Sequence, residues 1–84
     1  MTNDRHGKTV EVGTRVRVLN IPLFLKRGLA GEEWNRIQSM VGNIYTVYEI
    51  DAHNLAWVEE WWNEPGGHRT SHSIGLESAE MEIP

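Results

Sequence analysis

Residues 40–62, MVGNIYTVYEIDAHNLAWVEEWW, decide the fold. Two runs rich in β-branched and aromatic residues flank the polar tetrad Asp51, Ala52, His53 and Asn54, the composition of two β-strands joined by a hairpin turn. The length of that turn fixes which side chains share a face. Asparagine tolerates the left-handed region better than most non-glycine residues. With Asn54 there, a three-residue loop closes with a bulge and sets Asp51 opposite Leu55 and Ile50 opposite Ala56. Ile44, Tyr48, Ile50, Ala56, Val58 and Trp62 then line one face, and Tyr45, Val47, Glu49, Asp51, Trp57, Glu59 and Trp61 the other. A four-residue loop would slip one strand by one position and leave neither face apolar, so the shorter loop is the expected one. Only Glu60 then stands on the apolar side, near the strand end.

Working outward, residues 15–19 alternate strictly, which predicts a strand with Val16 and Val18 inward and Arg15 and Arg17 outward. Residues 1–8 are polar and are expected to form a flexible N-terminus, with residues 9–84 as a single domain. A short lead-in strand is expected at 9–12. Residues 20–31 read as a long irregular connection whose Leu23, Phe24, Leu25 and Leu29 are apolar enough to fold back over one end of the sheet. Residues 32–40 fit two turns of helix, opened by Glu32 and Glu33 and carrying Trp34, Ile37 and Val41 on one side. So short a helix does not hold alone, so Trp34 and Ile37 must pack on the sheet. Beyond the hairpin come a turn-rich loop at 63–71, a strand at 72–76 with Ile74 and Leu76 inward, a 3₁₀ turn at 77–80 and a final strand at 81–83.

Eighty-four residues make one small domain, which buries about 60–65% of the surface its unfolded chain exposes. With no cysteine, neither disulfides nor a thiolate zinc site is available as a staple, which fits a reducing, cytoplasmic setting. No apolar run approaches the about 20 residues of a membrane span, and the first residues lack a hydrophobic signal core, so no membrane association is expected. A net charge of −4 and scattered basic residues argue against nucleic acid, whose phosphates call for a basic stripe.

The order strand, long loop, hairpin, short strand, 3₁₀ turn and strand resembles that of SH3-like small β-barrels. So do Val12-Gly13-Thr14-Arg15-Val16-Arg17-Val18, Met40-Val41-Gly42-Asn43-Ile44 and the stretch 72–83. Barrels of this kind include the nitrile hydratase beta-subunit type, photosystem I reaction-centre subunit IV, the variable chain of ferredoxin–thioredoxin reductase, and uncharacterised small bacterial proteins. The resemblance spans residues 12–83 and rests on alternating apolar residues and one glycine. It implies an all-β, five-stranded SH3-like barrel with one short helix in the long first loop, acting as a small accessory or adaptor subunit. It carries over no functional residue: the Tyr- and Asp-rich peptide groove of signalling SH3 domains is missing, as is the basic surface of ribosomal KOW-type barrels.

Catalytic spacing is absent too. His68 and His72 would share a face only in a helix, which Pro65-Gly66-Gly67 disfavours, so a metal site from them with Glu64 ranks below polar loop histidines. Ser71, His72 and Ser73 alternate across a strand and lack a third group to orient a base. Glu59 and Glu60 diverge in the same way and share no proton. No metal, cofactor or enzymatic activity is expected.

The four tryptophans say more. The predicted register sends Trp57 and Trp61 outward beside Tyr45 and Val47, with Glu49 and Glu59 as an acidic rim. This is the composition of a protein-binding surface. The leading expectation is therefore a non-catalytic protein-interaction or accessory-subunit module that binds a protein partner, basic in character, through Tyr45, Val47, Glu49, Trp57, Glu59 and Trp61. The first alternative is a homodimer with this face buried between copies. A second has the indoles covered by the apolar 23–29 loop or by the helix, and a metal-binding or hydrolytic protein comes last.

Overall fold

The computed structural model describes residues 1–21 and 31–84. Its elements run β1 (Arg15–Val18), α1 (Gly31–Gln38), β2 (Ile44–Thr46), β3 (Glu49–Ile50), β4 (Ala56–Asn63), β5 (Arg69–Leu76), a 3₁₀ turn (Ser78–Glu80) and β6 (Met81–Glu82). They make two three-stranded sheets, ordered β2-β1-β6 and β3-β4-β5, with every pairing antiparallel. The expected 23–29 cover falls outside the described residues.

Alternation builds the core. Val16 and Val18 from β1, Ala56 and Val58 from β4, and Ile74 and Leu76 from β5 all point inward and are closed to solvent, as the period-2 pattern dictates. Met40, Val47 and Met81 complete the centre. The helix opens with Glu32 and Glu33 and buries Trp34 and Ile37. Val41, expected on the same side, is instead 42% exposed. The helix has ended at Gln38, and the chain swings through Gly42, whose φ of 90° lets its N–H reach the Val18 carbonyl at 2.7 Å.

The hairpin loop forms as its asparagine predicts. Asn54 has φ of 64°, Asp51 N–H bonds the Leu55 carbonyl at 3.1 Å, and Ile50 stands opposite Ala56. The face assignment of the preceding strand, however, holds only next to the loop. Tyr48 N–H bonds the Trp57 carbonyl at 3.0 Å while Glu49 is also the partner of Trp57, so two residues oppose one in a β-bulge. The bulge inverts inside and outside upstream of it: Val47 is fully buried and Tyr48 is 45% exposed. It also moves the chain between sheets, since Val47 exchanges backbone hydrogen bonds with Gly13 and Thr14, at 2.8 and 2.9 Å.

The N-terminal residues make long-range contacts of their own. Residues 2–5 are tied to the domain: Thr2 and Asp4 are buried, Arg5 N–H bonds the Met81 carbonyl at 3.0 Å, and Thr2 Oγ1 donates to the Asn54 carbonyl at 2.9 Å. The Asp4 carboxylate accepts the backbone N–H groups of His6 and Lys8 on one oxygen, both at 2.9 Å, and of Ile83 on the other at 2.8 Å. Burial alone would raise this carboxyl, but the Ile83, Lys8 and His6 N–H groups hold it below its ordinary value. Residues 9–12 form no strand; Thr9 bridges Asn3, and Val12 turns out to 63% exposure.

Candidate functional site

The outer face of the β3-β4-β5 sheet follows from what its inner face buries. Ala56 and Val58 go in, so Trp57, Glu59 and Trp61 go out. Cross-strand partners share a face: Trp57 has Glu49 on one side and Gly75 on the other, Glu59 has Ser73, and Trp61 has Ser71. The β5 row is thus small, and the indoles on β4 stand beside it.

The two indoles differ in how they are held. Trp57 is partly buried, its Nε1–H donating to Asp51 Oδ2 at 2.9 Å. That indole N–H, with the Leu55 and His53 backbone N–H groups, holds the Asp51 carboxyl below its ordinary value. The ring lies over Gly75, where a Cβ would meet it at 2.9 Å. Trp61 is the open one, at 48% exposure, with the Arg69 guanidinium 4.9 Å from its ring centroid. Ser73 Oγ points to Glu59 Oε2 at 3.5 Å, and Glu49 is exposed.

Of the six residues expected on this face, Glu49, Trp57, Glu59 and Trp61 come together and two do not. Val47 is core, for the reason given by the bulge. Tyr45 stands opposite Val16, packs against the core, and its hydroxyl lies 3.3 Å from Glu60 Oε1, on the other side of β4. Burial first, and then the Glu60 carboxylate, push the Tyr45 hydroxyl above its ordinary value. Tyr48, Ser71, Ser73 and Arg69 were not anticipated. The serines follow from the β4–β5 register, which a hairpin longer than the expected 72–76 strand would have disclosed.

A second cluster docks the helix. Arg36 pairs with Glu64 and, at 3.4 Å, with Glu32, and its guanidinium lies 5.9 Å from the Trp62 ring. Trp62 in turn meets His72 edge-on at 5.4 Å. A cavity of about 310 Å³ lies among Glu32, Glu33, Arg36, Glu64, Thr70 and His72. Glu64 is held below its ordinary value by the Arg36 hydrogen bond, and His68 is exposed. Among the described residues, no three His, Asp or Glu side chains converge on a metal-sized site, and no helix is long and apolar enough to cross a membrane.

Comparison with family models, with curated proteins and with solved structures returns no match.

Proposed function

We propose that this chain is a non-catalytic protein-interaction module, an SH3-like small barrel of the cytoplasm that engages a basic protein partner through the outer face of β4. One observation carries the reading: Trp61 is 48% exposed on an eight-residue strand, in one row with Glu59 and Trp57. A large indole left open in a domain this small is costly to solvate unless something covers it, and tryptophan is the residue most enriched where binding energy concentrates. Glu49 and Glu59 flank the indoles and select for positive charge. Tyr48 widens the patch in place of Tyr45 and Val47.

The test pairs affinity isolation at low salt with sedimentation, using the wild-type chain and Trp61→Ser. A partner retained by the wild type, lost with the variant at unchanged melting temperature, and released by moderate salt supports the reading. Equal retention by both chains overturns it. A wild-type dimer that Trp61→Ser converts to monomer replaces the partner with a second copy of this chain.

A further inference from the structure

We propose that Trp61 is an arginine seat which Arg69 fills from within the chain until a partner's arginine takes its place. The inference rests on the interaction-face reading and names the partner group that the face accepts.

Three features support it. First, the seat holds a guanidinium already. Arg69 stands opposite Asn63 and reaches diagonally across the β4–β5 ladder to place its guanidinium 4.9 Å from the Trp61 ring centroid. It does so because Ser71, directly opposite Trp61, is too small to fill the space. A planar guanidinium suits that ring face better than an ammonium does.

Second, the charge around the seat is unbalanced. Arg17 and Arg36 are drawn into ion pairs with Glu82 and Glu64, whereas Arg69 has no carboxylate partner among the described residues. Glu49 and Glu59 likewise have no cationic partner among them. The face therefore presents Glu49 and Glu59, besides Asp51 on the Trp57 indole N–H, against one internal cation, and a second cation improves it.

Third, Arg69 is held loosely enough to leave. It is exposed and begins β5 just after a turn in which Gly66 and Gly67 both have positive φ. A solvent-exposed cation–π contact of this kind favours the occupied ring only about two- to fivefold. Internal occupancy of that size weakens an external arginine by about three- to sixfold, which removing Arg69 restores.

The experiment titrates ten-residue Arg-Gly, Lys-Gly and Glu-Gly repeat peptides into ¹⁵N-labelled protein and follows the Trp61 indole N–H resonance. Wild type is compared with Arg69→Ser, with Arg69→Gln as a second variant should the first fail to fold. Arg15→Ser removes the same charge from the other sheet. The expected result is a three- to sixfold tighter Arg-Gly affinity for the Arg69 variants, a smaller gain for Lys-Gly, no binding of Glu-Gly, and little change with Arg15→Ser. If the wild type binds Arg-Gly at Trp61 and the Arg69 variants bind no tighter, the internal competitor is overturned while the interaction face stands. Equal gains with Arg15→Ser reduce the effect to net charge and also overturn it. If neither the Arg-Gly nor the Lys-Gly peptide moves the Trp61 resonance in any folded chain, the seat and the cationic-partner reading fall together.

Discussion

The indole of Trp57 occupies the space that a side chain at position 75 would need: a Cβ on Gly75 would stand 2.9 Å from Trp57 Cε2, 3.1 Å from Cζ2 and 3.2 Å from Leu55 Cδ1. Gly75→Ala must therefore lift the ring and break its hydrogen bond to Asp51. Overpacking of this kind costs about 1–3 kcal/mol, and each kcal/mol lowers the melting temperature of a domain this size by about 4–8 °C. Thermal melting, together with the position of the Trp57 indole resonance, checks it. An unchanged melt would mean that the ring is not seated on Gly75.

Asp4→Asn leaves three part-buried backbone donors competing for one neutral acceptor, at a cost of about 1–3 kcal/mol. The pH dependence has a definite sign. Because the folded carboxyl lies below its unfolded value, its contribution is fully present above the ordinary carboxylate range and is lost as pH falls through it toward the folded pKa. Wild type and variant should differ most near neutrality and converge in acid. Asp51, Glu64 and Glu82 are also held low, but they are common to both chains and cancel in the comparison. A gap that stays constant down to pH 2–3 would rule out the ionised Asp4 as its source.

At position 54 the backbone, not the side chain, makes the demand. With φ of 64°, Asn54→Gly should keep or raise stability, while Asn54→Ala should lower it by about 1 kcal/mol. Denaturant midpoints for the pair measure this. Equal midpoints would show that the loop can be rebuilt without a left-handed residue.

Arg36→Ala should release α1, since an eight-residue helix lacks the length to persist without its docking contacts. Hydrogen exchange should quicken in residues 31–38 while β4 stays protected. Acid should reproduce part of this, because Arg36 holds Glu64 below its ordinary value and protonation of Glu64 ends the ion pair. Uniform loosening of both elements would place Arg36 in the common core rather than at the helix.

Much of this was legible in the chain itself, and for local reasons. Val16 and Val18 alternate with arginines, Asn54 tolerates a conformation few residues accept, and Ser78 to Glu80 follow a strand too closely for anything longer than a 3₁₀ turn. What escaped was non-local. Nothing in Tyr48-Glu49 marks a bulge, since neither residue is a glycine, and a glutamate in a strand reads as an ordinary outward-facing position. Tyr45 and Val47 were therefore given the wrong side, although Trp57, Glu59 and Trp61, beyond the loop, were given the right one. Asp4 looked like part of a polar tail because its third donor, Ile83, is 79 positions away.

That separation also governs the order of assembly. The β4–β5 hairpin closes across a short turn, whereas the Asp4–Ile83 bond closes nearly the whole chain and gains nothing until β6 has paired with β1 and met the N-terminal residues. It belongs among the last contacts made and the first surrendered. Asp4→Asn is accordingly expected to hasten unfolding while leaving the refolding rate close to that of the wild type, so that a single carboxylate near one end of the chain acts as a latch on the lifetime of the folded state.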